Sequence, residues 1–338
     1  MYLAASGRYE NMTYNRLGNS GLKLSALGLG FWHNFGSVDP FEKQKKIVHQ
    51  AFDLGITYYD LANNYGPIPG SAEENFGKIM SHDMKSHRDE MIIASKAGYE
   101  MWPGPYGNWG SRKSIIASAD QSLERLNLDY VDIFYSHRPD PETPAEETAL
   151  ALDQLVCDGK ALYVGISNYS GSQTAEMARI FRELKTPFVV NQIRYNMFNR
   201  KVETDLFPVL EREHKAAVAF SPLSQGLLTD KYLQGLPADS RAVKQTSPFL
   251  HEAQVEQTLA TVRQLNELAT QRGQSLAEMS LAWDLRQKAV ACVLVGASRP
   301  QQLVDNVNAL QNLEFSTQEL AQIEQILAKQ PDVDWHKA

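Results

Sequence analysis

The feature that most constrains this chain is an alternation repeated almost from end to end. Eight short apolar runs, Ala26 to Gly30, Thr57 to Asp60, Met91 to Lys96, Val131 to Tyr135, Ala161 to Ile166, Phe188 to Gln192, Ala217 to Phe220 and Cys292 to Val295, are separated by longer amphipathic stretches. Their starts lie 31, 34, 40, 30, 27, 29 and 75 residues apart, so six of the seven intervals have the length of one strand and its crossover helix. Eight such units with no Pro/Gly/Ser linker between them predict an α/β chain folded as a (β/α)8 TIM barrel. The expectation is one domain over 1–338 with its core at about 14–327. A doubly wound sheet would need a glycine-rich phosphate turn after its first strand, and Gly28-Leu-Gly30-Phe-Trp32-His33 lacks the third glycine.

Local signals fill in the frame. Phe41, Ile47, Val48, Ala51, Phe52 and Leu54 form one helix face that stops at Gly55, a C′ glycine. Ser71 with Glu74 reads as a capping box, Ser111 and Thr143 read as N-caps, and Pro144 fits the first helical position. Leu123, Leu126, Leu150 and Leu155 continue the apolar spacing on the third and fourth helices. Tyr14 to Leu17 and Leu22 to Leu24, joined through Gly18 to Gly21, predict a hairpin that caps one end of the barrel. The long last interval holds a polar stretch from Gln225 to Glu252, expected to be a lid, then helical patterns at Val255 to Arg272 and Leu276 to Arg286. Thr317 to Ala328 predicts one more helix outside the barrel.

Composition removes several classes of function. There are 40 acidic against 33 basic residues, a net charge of −7, which argues against a nucleic-acid footprint. No apolar run reaches the ~18 residues of a membrane span, and the first residues show neither the basic nor the apolar part of a secretory signal. Two cysteines, Cys157 and Cys292, make no disulfide framework or zinc site and suit a reducing cytoplasm. His251-Glu252 begins like a zinc-protease motif, but Val255 stands where the second histidine belongs, so no metal is expected.

In such a barrel the active site lies at the C-terminal ends of the strands, which directs attention to the polar residue closing each run. These are Asp60, Lys96, His137 after Tyr135-Ser136, Ser167-Asn168, and Asn191-Gln192, with Tyr65 one short loop beyond Asp60. Aspartate, lysine, tyrosine and histidine at one mouth form a proton-transfer set. An ammonium beside a phenol is expected to lower its pKa, and a carboxylate keeps that ammonium charged and in place. Tyr65 is then placed to donate a proton to a carbonyl oxygen as hydride reaches its carbon, with His137 orienting the carbonyl. Each residue also has a bland reading: a structural ion pair for Lys96, a turn cap for Asp60, loop packing for Tyr65.

The segments Tyr59-Asp60-Leu-Ala-Asn-Asn-Tyr65-Gly66, Ala94-Ser-Lys96-Ala, Tyr135-Ser-His137-Arg-Pro-Asp, Gly165-Ile-Ser167-Asn168-Tyr and Gly296-Ala-Ser298-Arg299 resemble the signatures of the aldo-keto reductase superfamily. Ser71-Ala-Glu-Glu-Asn-Phe-Gly and Ala97-Gly-Tyr-Glu-Met-Trp102-Pro-Gly-Pro-Tyr-Gly resemble its branch of bacterial L-glyceraldehyde 3-phosphate reductases, relatives of voltage-gated potassium channel β-subunits. The resemblance implies catalytic roles for Asp60, Tyr65, Lys96 and His137 and binding of NADPH/NADP+ without a Rossmann fold. It implies that Ser167, Asn168 and Gln192 hold the nicotinamide carboxamide, that Phe220 stacks on the ring, and that Trp32 and Asp60 also bind the cofactor. By the same resemblance Ser221, Pro222, Leu223, Gln225, Gly226 and Lys231 cover the pyrophosphate. Arg241, Gly296, Ser298, Arg299, Gln302, Asp305 and Asn306 match the adenosine-phosphate end, where a helix start near Pro300 is expected to offer free N–H groups to an anion. Leu61 departs from the threonine common in the family, whereas His137 retains the histidine that the channel β-subunits replace by asparagine.

The substrate residues expected are Trp32, Tyr65, Trp102 and His137, with His33, Tyr99 and Trp109 completing an aromatic wall for a small carbonyl compound. Arg112, Lys113 and Arg138 are candidate cations for a substrate phosphate. The expected activity is NADPH-dependent reduction of short aldehydes, L-glyceraldehyde 3-phosphate first and methylglyoxal-like carbonyls second, in a possible tetramer or octamer. A cofactor-sensing regulatory subunit is one alternative. A Schiff-base aldolase is the other, disfavoured because Asp60 opposes deprotonation of Lys96.

Overall fold

The computed structural model describes residues 2–233, 235 and 252–330. It contains two sheets: an antiparallel pair, β1 (Tyr14–Arg16) and β2 (Lys23–Ser25), and a closed parallel barrel. The barrel strands are β3 (Leu27–Gly30), β4 (Tyr58–Asp60), β5 (Ile92–Ala97), β6 (Val131–Ser136), β7 (Ala161–Ser167), β8 (Phe188–Arg194), β9 (Ala216–Phe220) and β10 (Val290–Val295). They pair in chain order, with β10 closing on β3. Each expected run is therefore a barrel strand, and the (β/α)8 fold is the one observed.

The described chain divides into two compact units. The first comprises Met1–Arg194, Lys201–Phe220 and Lys288–Val304, and so holds the whole barrel and its hairpin. Alternation along each strand sends every second side chain inward. The lower interior is an apolar plug built from Ala94, Ile133, Val190, Val218, Cys292 and Leu294, and Leu17 and Leu24 of the hairpin pack against it. Tyr58 and Tyr135 also sit in this plug, fully buried. They fit because Gly28 and Gly165 carry no side chain: a Cβ on Gly28 would fall 2.7 Å from the Tyr58 ring, and one on Gly165 2.4 Å from the Tyr135 ring.

The helices α1 (Phe41–Asp53), α2 (Ser71–Ile79), α3 (Arg112–Leu126), α4 (Ala145–Cys157), α5 (Gly171–Leu184), α6 (Val202–Asp205) and α7 (Phe207–Arg212) also belong to this unit. Gly55 has φ 80° after α1, as a C′ glycine should. Three local expectations need correction. Ser71 is not a capping box, because Gly70 occupies the cap position and the Ser71 hydroxyl accepts the Ser37 N–H instead. Thr143 does not cap α4, which has Pro144 as its N-cap, since Asp140 Oδ1 takes the N–H groups of Glu142 and Thr143. Leu150 is exposed, the inward face of α4 being Thr148, Ala149, Ala151, Leu152 and Leu155. Ser111 does cap α3, accepting from the Ser114 N–H.

The second unit comprises Tyr195–Arg200, Ser221–Gln287 and Asp305–Ala338. Its helices Glu252–Gln271, Leu276–Leu285 and Thr317–Leu327 correspond to the expected ones, and the last two open on capping boxes, Ser275 with Glu278 and Ser316 with Glu319. Buried Trp283 stacks on Tyr195 with centroids 5.4 Å apart, and the Arg286 guanidinium lies 3.5 Å over the indole. Of the stretch expected to be a lid, Gln225 to Glu252, most lies outside the described residues, as does Arg241.

Candidate active site

One step above the apolar plug, the inward positions turn polar. Asp60 on β4, Lys96 on β5, Ser167 on β7 and Gln192 on β8 all have the parity of the plug residues below them, and His137 continues that of Tyr135. The structure thus brings the expected catalytic residues to one place. Lys96 is fully buried; its Nζ donates to Asp60 Oδ2 at 2.7 Å, to the Leu61 carbonyl at 2.6 Å and to Tyr65 Oη at 3.4 Å. Three acceptors use all three donors of an ammonium. The contact at residue 61 is to backbone, so leucine in place of threonine leaves it intact.

Asp60 is equally well supplied. Its Oδ1 accepts from Gln192 Nε2 at 2.7 Å and from Tyr58 Oη at 3.0 Å, and Tyr58 Oη lies 3.0 Å from Tyr135 Oη. Tyr58 and Tyr135 were not among the expected site residues. The signal was there in the period of two, since each precedes a site residue, Asp60 or His137, by two positions on the same face.

Burial decides the protonation states. Tyr65 keeps part of its ring open while its oxygen lies among protein atoms, and that burial pushes the phenol well above its usual range, with Asp60 and Tyr99 adding to the shift. This corrects the expected lowering: desolvation of a phenolate outweighs the attraction of the Lys96 ammonium. Burial also pulls Lys96 down from the ordinary lysine range, against the opposing pull of Asp60. It lowers His137 well below the usual imidazole value, with Lys96 and Arg138 acting in the same direction. His137 is therefore neutral at pH 7, and its buried Nδ1 has no hydrogen-bond partner among the described residues.

Aromatic rings frame this mouth. Tyr99 meets His137 edge-on at 4.6 Å and Tyr65 does so at 5.8 Å. The Arg138 guanidinium lies 4.2 Å over Tyr99 and 3.5 Å over Trp109, and donates to the Gly98 carbonyl and to Asn108 Oδ1, each at 2.9 Å. Trp102 is half-buried in the same loop, which Met101 N–H closes by donating to the Gly107 carbonyl. Trp32 is 38% exposed, its ring 4.2 Å from that of His33.

The amides expected to meet a nicotinamide form a continuous polar edge. Ser167 is in register with Gln192, and Asn168, held at φ 63°, donates to the His137 carbonyl and Ser167 Oγ, each at 3.1 Å. Phe220 offers a flat, partly buried ring at the end of β9. Immediately after it the backbone turns left-handed at Ser221 (φ 56°), Ser224 (44°), Gln225 (59°) and Gly226 (96°). Three of these are not glycine, and such strain and such runs of N–H groups gather where anions bind. Within the first unit, Ser167, Asn168, Gln192 and Phe220 fit a nicotinamide. Within this turn Pro222 is buried and Leu223 half-buried, and beyond it Lys231 is exposed. At the other end one expectation changes: the Ser298 N–H is not free for an anion, because Gln302 Oε1 accepts it at 2.8 Å and Ser298 Oγ at 3.1 Å. Gly296, Arg299 and Asp305 are exposed and Asn306 is buried.

A closed parallel barrel whose strand ends gather a buried ammonium, a carboxylate, a protonated phenol and a neutral imidazole defines a barrel enzyme for proton-coupled carbonyl chemistry. The chain belongs to the Aldo/keto reductase family, whose sequence model matches residues 26–328, and it is accordingly an oxidoreductase working with a nicotinamide cofactor. It is 54% identical over 336 residues, 97% of this chain and 96% of the relative, to the L-glyceraldehyde 3-phosphate reductase of Escherichia coli (strain K12). It is 35% identical to a probable voltage-gated potassium channel subunit beta of Oryza sativa subsp. japonica (95% of this chain, 98% of the relative) and 36% identical to one of Arabidopsis thaliana (95% and 98%). No helix among the described residues is long and apolar enough to cross a membrane, and no group of three metal-ligating side chains is found among them.

Proposed function

We propose that this enzyme reduces small aldehydes with NADPH, L-glyceraldehyde 3-phosphate foremost and methylglyoxal-like carbonyls next. The observation that carries the reading is the Lys96 hydrogen bond to Tyr65: the phenol oxygen accepts from an ammonium, which leaves the phenolic hydrogen to be given away. Tyr65 donates that proton to the carbonyl oxygen. Lys96 stabilises the negative charge left on the phenol, and Asp60, held by Gln192 and Tyr58, fixes Lys96. Neutral His137 donates a hydrogen bond to the carbonyl oxygen without competing as an acid. The cofactor, when bound, supplies the hydride.

Ser167, Asn168, Gln192, Trp32 and Phe220 would hold its nicotinamide, and the turn from Ser221 to Gly226 with Lys231 its pyrophosphate. Arg241, Gly296, Ser298, Arg299, Gln302, Asp305 and Asn306 would take the adenosine end, Arg299 pairing with the 2′-phosphate that distinguishes NADPH. The names of the L-glyceraldehyde 3-phosphate reductases support the substrate, and a histidine at 137 favours turnover over a purely regulatory role. We read the chain as one barrel domain, working in the cytoplasm, where two free thiols are at home, and assembling as a tetramer or octamer.

The test is Tyr65→Phe. NADPH oxidation with L-glyceraldehyde 3-phosphate should fall by about 10²-fold or more, the range for loss of a general acid, while NADPH binding measured by fluorescence stays within about twofold. A Phe variant that keeps its activity removes Tyr65 from the mechanism.

A further inference from the structure

The carboxylate of Glu73, in the first turn of α2, is fully buried, although no step of the proposed reduction uses it. Its two oxygens are committed to different elements. Oε1 accepts from Ser95 Oγ on β5 at 2.5 Å, and Oε2 accepts from Arg125 Nε on α3 at 2.7 Å. Ser95 precedes Lys96, and the period of two turns its side chain out toward the helices while that of Lys96 points into the barrel. Glu73 thus grips β5 from behind, one residue from the ammonium. The same turn of helix holds Tyr65, whose carbonyl accepts the Ala72 N–H at 3.2 Å. The loop between them is also laid along β5, since the Leu61 and Asn63 N–H groups donate to the carbonyls of Ala94 and Lys96 at 3.0 and 2.9 Å. A closed circuit results: Lys96 to Tyr65, Tyr65 through Ala72 to Glu73, and Glu73 through Ser95 back to Lys96. Its longest link is the 3.4 Å contact between Lys96 and Tyr65, near the limit of hydrogen bonding, where a small displacement removes it.

We propose that Glu73 is a positioning residue for proton transfer, its carboxylate clamping the helix that holds Tyr65 to the strand that carries Lys96, and its charge supporting the ammonium from the other side of that strand. The proposal rests on the reductase reading above, in which Tyr65 gives up a proton facing Lys96. Burying an ion pair is a costly way to add stability, whereas its directional bonds fix α2, α3 and β5 at set distances. The charge works toward the same end. Burial lowers Lys96 from the ordinary lysine range; Asp60 opposes this most strongly, and Glu73 adds to the opposition. A second carboxylate therefore keeps Lys96 an ammonium without standing in the mouth, where it would repel the charge that develops on the phenol.

Two substitutions separate the bond from the charge. Ser95→Ala cuts the clamp from β5 and leaves the Glu73–Arg125 pair, while Glu73→Gln keeps the shape and removes the charge. Each is compared with the wild type for kcat and KM on L-glyceraldehyde 3-phosphate, NADPH binding by fluorescence, and kcat across the alkaline range; urea unfolding checks that it is folded, and if one variant does not fold the other decides. In Ser95→Ala kcat should fall by about 10- to 100-fold with KM and NADPH binding within about twofold of the wild type, and Ser95→Thr, which restores the hydroxyl, should recover it. In Glu73→Gln the alkaline limb of kcat should move to lower pH, because loss of a nearby negative charge favours deprotonation of Lys96 and Tyr65 alike. The other titratable and charged groups around this pair, Asp60 and Tyr58 on β4, Tyr135 and His137 on and after β6, and Arg125 behind Glu73, are the same in both proteins. An unchanged kcat in Ser95→Ala overturns the proposal, as does a loss that appears equally in KM and cofactor binding, or that Ser95→Thr leaves unrepaired, since these mark a general structural role. An alkaline limb that stays in place in Glu73→Gln overturns it as well. An inactive Tyr65→Phe beside unaffected Ser95→Ala and Glu73→Gln refutes the proposal and leaves the reductase reading standing, whereas a fully active Tyr65→Phe sinks both.

Discussion

The protonation state of His137 can be tested through stability. An unfolded histidine titrates near 6.5, whereas burial holds folded His137 well below that value. As pH falls through 6.5 the unfolded chain takes up a proton that the folded one refuses, so this group's contribution to stability is present above 6.5 and is lost on acidification. At about 1.36 kcal/mol per proton per pH unit, the loss between pH 6.5 and 5.0 reaches at most about 1.6 kcal/mol, the limit for a folded histidine that takes up no proton in that window. His137→Gln retains a polar side chain that does not titrate. Urea unfolding at half-unit steps from pH 7.5 to 5.0 should show wild-type stability falling toward that of His137→Gln by up to this amount, because the variant lacks the loss. Other groups, such as His49, which burial also lowers, titrate in both proteins and cancel in the difference. A stability difference that stays flat across the window would show that His137 takes up its proton in the folded state, and the neutral hydrogen-bond donor in the mechanism would have to be abandoned.

Two further variants probe the supports of the site. Lys96→Met strands the buried Asp60 carboxylate and should cost about 3–5 kcal/mol in urea unfolding, part of which Asp60→Asn on the same background restores; additive costs would show that the two are not coupled. Gly165→Ala drives a methyl to within 2.4 Å of the Tyr135 ring and should cost about 1–3 kcal/mol in urea unfolding as Tyr135 is displaced from Tyr58; a neutral substitution there would mean the ring has room to move.

The barrel was legible because its signal is local and repeated. A parallel strand buried on both sides reads as a continuous apolar run, and the crossover sets its distance from the next, so the strands Val131–Ser136 and Phe188–Arg194 announce themselves through the runs Val131 to Tyr135 and Phe188 to Gln192. The place of the candidate site was legible for a related reason: Asp60 and Lys96 are the polar residues that break such runs at the mouth. Tyr58 and Tyr135 escaped because a tyrosine inside an apolar run looks like core, and only the stagger of adjacent strands reveals that their hydroxyls meet Asp60. Caps failed where a serine or threonine had competing partners: Ser71 serves Ser37, and Asp140 serves the turn before α4. The direction of the Tyr65 shift was misread because spacing reveals which charges are near, but not how much water remains.

That misreading alters the account of the lysine. If the ammonium ionised Tyr65 at rest, the proton needed for reduction would already be gone at neutral pH. Burial prevents this, and in the proposed mechanism the phenol enters the reaction intact. The ammonium then contributes little to the resting state of Tyr65 at 3.4 Å, and its effect grows as the proton leaves and charge appears on the oxygen it already faces. An interaction stronger in the transition state than in the ground state is what accelerates a reaction. In the proposed mechanism the buried Asp60–Lys96 pair, whose desolvation is costly, serves function rather than stability, and its supporting bonds from Gln192 and Tyr58 hold the ammonium where that charge would develop.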